Sequence, residues 1–313
     1  MTETILLTGG FGNIGGRLAH FLTEAHSGQL RLATRQDRRA PIWSPTAQVV
    51  TCDVTNADSL RRATENVTTI FHLASLNDRE CLKDPRRAHE VNVTGTANLV
   101  EAAISNGVAH IVYMSTIHVY GSPLTGLFDE SSHTDPTHPY GRTHLDAERV
   151  LSGRSSEVRS TIIRSGNGFG YPMTTDVDIW HILVNDLCIQ AVRTQRLALK
   201  SPSNVQRNFV TLRDICRAMH YFGILSPPNQ GSIVYNLGSK KSRTLREMAE
   251  LIADRCNVVL GYRPEVEETV PNDERDMSLS FDCTRIQNSG FMTQEHFADE
   301  IDGVLRLVKA VYG

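Results

Sequence analysis

Long apolar runs, an excess charge of one sign and clustered cysteines are all missing from this sequence. No stretch of about 18 consecutive apolar residues occurs, so we expect no membrane-spanning helix. The net charge of −3 gives no reason to expect a nucleic acid or a membrane surface as partner. The six cysteines lie far apart without metal-ligand spacing, which predicts reduced thiols and no metal site. Because no signal-peptide pattern precedes the first apolar strand, we expect a cytoplasmic protein.

Strand and helix patterns alternate through the first half of the 313 residues. Short apolar runs predict the strands, and longer stretches with apolar residues at helical spacing predict the helices between them. The predicted strands are 4–8, 30–34, 49–51, 69–73, 110–115 and 160–164, and the longest predicted helix is 86–105. This alternation indicates an α/β fold, a Rossmann-type doubly wound parallel sheet with helices on both faces.

The strand–helix alternation becomes less regular after residue 165. Loops are predicted at 166–175 and 198–209, and helices at 177–193, 212–225, 244–256 and 294–310. We therefore predict a dinucleotide-binding domain of residues 1–168, to which residues 205–240 return. Residues 169–204 and 241–313 are expected to form a smaller C-terminal substrate-binding lobe at the edge where open parallel sheets place their ligands.

Three glycines follow the first predicted strand and lead into a helix pattern. Gly9 permits a tight turn, Gly12 lets a pyrophosphate approach the backbone, and Gly15 lets the helix pack closely on the strand. The unpaired N–H groups at the start of that helix then face the phosphates. A plain strand-to-helix turn is the alternative. The dinucleotide interpretation predicts cofactor contacts from Gly9, Gly12, Asn13, Ile14 and Gly15.

The end of the second predicted strand lacks the acidic residue that binds an adenine ribose in NAD-dependent proteins. Arg35 stands just beyond this strand end, and an arginine there pairs with a 2′-phosphate, which favours NADP over NAD. A solvated loop, or a displaced ribose contact from Asp37, are the alternatives. After the third strand, Asp53 and Val54 are predicted to meet the adenine, with a simple helix cap as the alternative for Asp53.

An ordered series of motifs covers nearly the whole chain. It comprises residues 8–15, 71–74, 92–96, 114–121, 139–144, 164–170, 207–214 and 235–238. In this order the motifs resemble those of the extended short-chain dehydrogenase/reductase family, the group of the NAD-dependent epimerases and dehydratases. The resemblance implies a Rossmann fold, a bound nicotinamide dinucleotide, a nucleotide-sugar substrate and a homodimer.

The resemblance also implies catalytic residues. Thr116 matches the family's catalytic Ser/Thr, Tyr140 matches the catalytic tyrosine, and Asn92 matches the asparagine beside the site. His144 stands where the family has a lysine, which is a departure from the pattern. Tyr140 and His144 are also expected to contact the cofactor. The strand end that lines the nicotinamide is expected at Leu73, Ala74 and Ser75.

Further resemblance concerns the substrate. The nucleotide-sugar branch holds the substrate diphosphate with an asparagine and two arginines, and Asn167, Arg207 and Arg275 fall in those contexts. A guanidinium suits this task because its planar fork binds phosphate with two hydrogen bonds. Thr116 is expected to contact the reacting sugar oxygen. Arg207 and Arg275 are, as alternatives, ordinary surface residues.

The implied activity is that of an NAD(P)-dependent nucleotide-sugar epimerase or oxidoreductase, similar to a UDP-glucose 4-epimerase. Ile117 and His118 occupy the positions where a dehydratase carries an Asp-Glu pair, so that reaction is not expected. One alternative is an NADPH-dependent 4-ketoreductase. Another is a catalytically impaired dinucleotide-binding relative, because His144 replaces the lysine. With an ordinary pKa near 6.5, His144 is expected to be mostly neutral at pH 7 and above, which predicts slow oxidation.

Overall fold

The computed structural model describes residues 3–227 and 230–313. Its strands are β1 (Thr4–Thr8), β2 (Gln29–Thr34), β3 (Gln48–Thr51), β4 (Thr69–His72), β5 (His110–Thr116), β6 (Gly126–Phe128), β7 (Arg159–Ser165), β8 (Asn167–Phe169), β9 (Arg196–Leu199), β10 (Gln206–Arg207), β11 (Phe209–Thr211), β12 (Ser232–Leu237), β13 (Arg243–Thr244), β14 (Glu265–Glu268) and β15 (Leu279–Phe281). Its helices are α1 (Asn13–Ala25), α2 (Ala57–Ala63), α3 (Asp78–Lys83), α4 (Pro85–His89), α5 (Gly95–Ser105), α6 (Pro139–Gly153), α7 (Leu183–Thr194), α8 (Leu212–His220), α9 (Leu245–Leu260), α10 (Thr284–Asn288) and α11 (Phe297–Tyr312).

A seven-stranded sheet organises the first part of the chain, with strand order β12-β7-β5-β4-β1-β2-β3. The pairs from β7 across to β3 are parallel. All five residues of β1 are buried, as expected for a strand of a parallel sheet that is covered on both faces. The strand order reverses between β1 and β4, which is where doubly wound sheets open a crevice for a ligand. The predicted Rossmann-type α/β fold is confirmed.

The chain divides into two compact units. The first comprises Met1–Ser122, Ser132–Ser165 and Cys216–Asn236, and the second comprises Pro123–Ser131, Gly166–Ile215 and Leu237–Gly313. Of the segment 205–240, which we expected to return to the Rossmann domain, residues 216–236 belong to the first unit. Leu6, Ile70 and Ile111 are fully buried in the core of the first unit. Ile252 and Val304 are fully buried in that of the second.

Some predicted helix bounds need correction. The helix expected at 177–193 begins at Leu183, and the loop expected at 198–209 contains the short strand β10. The reason is non-local, because β10 exists through its pairing with β13, a partner that the local pattern does not reveal. The long helix expected at 86–105 is present, but the π-helical segment Glu90–Thr94 separates α4 from α5.

Apolar residues of this long helix occupy the core of the first unit. Leu99 and Ala103 are fully buried, and Val91 and Val100 nearly so. These four residues therefore contribute to the core of the first unit. No helix in the described part of the chain combines the length and apolarity that a bilayer crossing requires.

Candidate active site

The glycine turn between β1 and α1 is too tightly packed for side chains at two of its positions. Gly9 has φ +73°, a conformation that favours glycine, and a Cβ there would lie 2.8 Å from the Leu73 carbonyl carbon. At Gly15 a Cβ would lie 2.0 Å from the Gly9 carbonyl oxygen. Gly12 stands at the N-cap of α1 without a side-chain cap. The turn therefore brings β1, β4 and α1 together at the switch in strand order.

The N-terminus of α1 fits a pyrophosphate. The first N–H groups of a helix carry partial positive charge and have no partners within the helix. No side chain caps this helix of 13 residues, and its first turn contains no acidic residue. In addition, Asn13 Oδ1 is buried and has no hydrogen-bond partner among the described residues. Unpaired donors, a bare glycine surface and an unsatisfied amide together suit a dinucleotide.

Basic side chains follow β2. Arg35 is exposed, and the guanidinium of Arg38 lies 5.1 Å from the centre of the Phe11 ring in the glycine turn. Asp53 follows β3. Although burial acts to raise its pKa, hydrogen bonds from Thr55 and the charge of Arg35 lower it, so Asp53 is ionised. The charge of Arg35 therefore acts on the Asp53 carboxylate across the ends of β2 and β3.

A row of polar side chains crosses the centre of the sheet. The strand register places Thr8, His72 and Tyr113 side by side on β1, β4 and β5. Thr8 Oγ1 lies 2.7 Å from His72 Nδ1, and His72 Nε2 lies 3.0 Å from Thr96 Oγ1. Burial lowers the pKa of His72 to about 4, so this histidine is a neutral link. The row orients the end of β4, which is followed by Leu73, Ala74 and Ser75.

Asn92 lies in the π-helical segment and is buried. Its Oδ1 accepts a hydrogen bond of 2.8 Å from the Leu76 amide, and its Nδ2 donates one of 3.0 Å to Thr143 Oγ1. Both ends of the amide are therefore engaged within the chain. Asn92 links the loop after β4 to helix α6, which carries two of the other three predicted catalytic side chains, Tyr140 and His144.

Thr116 and Tyr140 approach each other from β5 and α6. Thr116 ends β5 and caps the following 3₁₀ turn by accepting a hydrogen bond from the His118 amide. Pro139 starts α6, and the Tyr140 amide donates to His138 Nδ1, which places Tyr140 in the first turn. Burial raises the pKa of Tyr140 to about 12, and a side-chain hydrogen bond with Thr116 offsets part of that rise. Tyr140 therefore keeps its proton at neutral pH.

His144 lies one helical turn after Tyr140 and packs against it, with ring centres 4.5 Å apart. Its Nδ1 lies 2.7 Å from the Tyr113 hydroxyl. Burial, with smaller contributions from His72 and His118, lowers the pKa of His144 to about 3. Burial therefore extends the neutral state of His144, expected at pH 7 and above, to lower pH, because this site removes the ring from water. His144 is neutral throughout the working pH range.

A buried ion pair supports the same helix, and the sequence analysis missed it. Arg164 at the end of β7 and Glu148 on α6 form a bidentate pair, with Nη2 and Oε2 2.6 Å apart. Ser115 donates a hydrogen bond to the same carboxylate. Tyr113 and Ser115 are two residues apart on β5 and therefore face the same side of the sheet. There Tyr113 meets His144 and Ser115 meets Glu148, which are four residues apart on α6. That i, i+4 spacing was the signal available in the sequence.

The second unit holds the three predicted diphosphate residues. Asn167 Oδ1 is buried without a hydrogen-bond partner in the described residues, and Asn167 pairs with Phe209 across β8 and β11. Arg207 lies on β10, two positions before Phe209. It makes no ion pair with any described residue, and burial lowers its pKa. Arg275 is exposed and forms a bidentate pair with Asp273. Asn167 and Arg207 thus have unused binding capacity, whereas Arg275 is already engaged.

Metal ligands do not cluster in the described part of the chain. No three or more His, Cys, Asp or Glu side chains there are arranged so that they could hold a metal ion.

Comparison with known proteins identifies relatives over most of the chain. Residues 5–238 match the NAD dependent epimerase/dehydratase family. A UDP-glucose 4-epimerase of Rhizobium leguminosarum bv. trifolii is 27% identical over 277 residues, 82% of this chain and 83% of that protein. A GDP-6-deoxy-D-mannose reductase of Pseudomonas aeruginosa is 27% identical over 269 residues, 83% of this chain and 82% of that protein.

A solved structure supports the fold. The UDP-glucose 4-epimerase of Thermotoga maritima, crystallised with UDP-glucose, superposes with a TM-score of 0.82. The alignment covers 99% of this chain and 100% of that chain at 20% identity. At this level of identity the similarity establishes the common fold.

Proposed function

This chain belongs to the NAD dependent epimerase/dehydratase family, and on that premise we propose that it moves hydride between a nicotinamide dinucleotide and a ring carbon of a nucleotide sugar. The observation that carries the proposal is the arrangement of Thr116, Tyr140 and His144, in which Thr116 lies close enough to Tyr140 to lower its pKa and the Tyr140 ring packs on His144. A tyrosine hydroxyl beside a second hydroxyl is suited to proton exchange with a carbinol or carbonyl oxygen.

The proposed roles follow from these groups. The bound dinucleotide supplies the site at which hydride is accepted or released. Tyr140 donates its phenolic proton to a substrate carbonyl oxygen, or recovers it from the corresponding hydroxyl. Thr116 hydrogen-bonds the same oxygen and fixes its position. His144 binds the dinucleotide without contributing a charge.

Two observations favour reduction as the faster direction. Tyr140 holds its proton because burial raises its pKa to about 12. His144 provides no positive charge to counter that rise. A protonated tyrosine is ready to donate to a carbonyl oxygen but is a weak acceptor from a hydroxyl. A 4-ketoreductase is therefore the second candidate beside a 4-epimerase such as the Rhizobium relative.

Mass spectrometry of the freshly purified native protein, followed by activity assays, separates these candidates. Retained NAD and conversion of UDP-glucose into its C4 epimer without added cofactor support the epimerase. Oxidation of NADPH that depends on a 4-keto nucleotide sugar supports the reductase. In either case Tyr140→Phe should lower the rate by roughly 10²- to 10⁴-fold, because the transferred proton is lost. If both conversions fail, or persist in that variant, the proposal is wrong.

Cofactor choice depends on Arg35. We propose that NADP is preferred, because Arg35 follows the end of β2 and no carboxylate occupies the strand end. Arg35→Ala should weaken NADP binding by about 1–3 kcal/mol and leave NAD binding nearly unchanged, as measured by calorimetry. Arg39→Ala, which removes another exposed arginine of the same loop, is the matched control. Equal losses for both dinucleotides would contradict the assignment.

The substrate diphosphate is proposed to bind Asn167 and Arg207. Arg207 is the stronger candidate of the two predicted arginines, since Arg275 is paired with Asp273. Arg207→Gln should weaken UDP binding about tenfold or more, as expected when a charge-assisted hydrogen bond is removed. Arg275→Gln should have a smaller effect. The reverse order would assign the phosphate contact to Arg275.

A further inference from the structure

Tyr113 and His144 form a buried hydrogen-bonded pair beside the candidate catalytic residues. Each residue is 2% exposed. The Tyr113 hydroxyl and His144 Nδ1 are 2.7 Å apart, and this is the only hydrogen bond of the Tyr113 hydroxyl in the described chain. On the other side of the ring, His144 Nε2 is buried and has no hydrogen-bond partner there. Nδ1 is therefore satisfied by the protein, and Nε2 is available to a ligand.

Hydrogen-bond accounting distinguishes the two neutral tautomers of His144. If Nδ1 carried the proton and donated to Tyr113, the phenolic hydrogen and the bare Nε2 would both be buried without partners. If Tyr113 donates to a bare Nδ1, only the Nε2–H remains unpaired. Each unsatisfied buried group costs free energy, so the second arrangement is the more stable one. It leaves a single donor that awaits an acceptor.

We infer that Tyr113 is a positioning residue, which holds His144 in the Nε2–H tautomer so that the ring presents a neutral donor to a ribose hydroxyl of the bound dinucleotide. The inference rests on the proposed function for the identity of the acceptor. In this arrangement the hydrogen bond to the cofactor is retained without the family's lysine, while the positive charge is absent. The edge-on aromatic contact between His144 and Tyr140 also restrains the orientation of the ring.

The donor state of His144 does not change with pH in the working range. The groups that face this ring are Tyr113 on β5, His72 on β4, Tyr140 on α6 and His118 in the 3₁₀ turn after β5. Burial keeps both His72 and His144 neutral, with pKa values of about 4 and 3. Burial also keeps both tyrosines protonated, since it raises their pKa values. None of these two histidines and two tyrosines therefore changes charge between about pH 6 and about pH 9.

Nitrogen-15 NMR of histidine-labelled protein without cofactor tests the tautomer directly. The signal of His144 is assigned by its loss in His144→Gln. The expected pattern is a bare Nδ1 and a protonated Nε2, with no change from about pH 6 to pH 9. A protonated Nδ1, an equal mixture of tautomers or an imidazolium signal would overturn the inference.

Tyr113→Phe removes the hydroxyl and retains the ring. We expect the His144 signals to show exchange between tautomers and dinucleotide binding to weaken about threefold to tenfold, the fold-change of one neutral hydrogen bond. Tyr120→Phe, which removes another buried hydroxyl of the first unit, is the matched control and should leave the tautomer unchanged. A melting curve verifies that each variant is folded. Equal effects of the two variants on the tautomer and on binding would overturn the inference.

A double-mutant cycle tests whether Tyr113 acts through His144. In a His144→Ala background, Tyr113→Phe should weaken dinucleotide binding no further, whereas independent losses that multiply would overturn the inference. Measuring the tautomer and dinucleotide binding of the wild-type protein distinguishes failure of the proposed function from failure of the inference about Tyr113. A fixed Nε2–H signal without dinucleotide binding would refute the proposed function and the ribose acceptor but retain Tyr113 as the orienting group. Tight binding with a mobile tautomer would refute the inference alone.

Discussion

Replacing Glu148 by Gln tests how much the first unit depends on its buried ion pair. The Glu148 and Arg164 side chains are 5% and 7% exposed, and Arg164 Nε lies 3.1 Å from both carboxylate oxygens. Glu148→Gln removes the negative charge and leaves the guanidinium buried without a counter-ion. Breaking such a pair typically costs about 3–5 kcal/mol, so we expect a loss of that size in the free energy of unfolding.

Two variants serve as controls. Asp146→Asn on the same helix breaks the Asp146–Arg149 pair, in which the Arg149 side chain is 66% exposed, and should cost less than about 1 kcal/mol. The double variant Glu148→Leu/Arg164→Met replaces both charges by apolar groups. It should recover most of the loss, because the desolvation cost of the two ions disappears with them.

Urea unfolding followed by tryptophan fluorescence measures these differences. The sequence contains two tryptophans, Trp43 in the first unit and Trp180 in the second. A Trp180→Phe background therefore reports on the unit that contains the ion pair. If Glu148→Gln is no more destabilising than Asp146→Asn, or if the double variant is no better than the single one, the assignment of a large energy to this pair is refuted.

Three further predictions concern the turn, the pH dependence and the assembly. Gly15→Ala should weaken dinucleotide binding at least about tenfold and lower the melting temperature, because its Cβ would lie 2.0 Å from a carbonyl oxygen. Gly153→Ala is the control and should do neither, because a Cβ at Gly153 meets nothing within 4 Å. Burial lowers the pKa of His72, His110 and His144 to between about 3 and about 4, below the ordinary 6.5. Protons therefore bind the unfolded chain first, and stability that is complete above about pH 6.5 should fall towards pH 5 by about 1–2 kcal/mol per histidine, in melting curves recorded across that range. Native mass spectrometry at micromolar concentration should give the mass of a homodimer, and a monomer would contradict this expectation.

Local sequence patterns predicted the elements of the first unit. The buried run of β1, the glycines that follow it and the alternation of strands and helices each depend on residues close together in the chain. Such patterns determine where a strand ends and where a helix starts, and in a parallel sheet the strand ends collect at one edge. The order of the motifs then placed Thr116 and Tyr140 as candidates without knowledge of any contact.

Only the tertiary structure decided the properties of the individual site groups. Tyr113 and His144 are 31 residues apart, and their contact gives the histidine a partner while burial lowers its pKa far below the ordinary value. Likewise, Arg275 and Arg207 are the same residue type, yet among the described residues Arg275 pairs with Asp273 and Arg207 makes no ion pair. A pKa or an available guanidinium depends on burial and on which charge lies nearby. The fold brings those groups together from distant positions, so a local pattern contains no record of them.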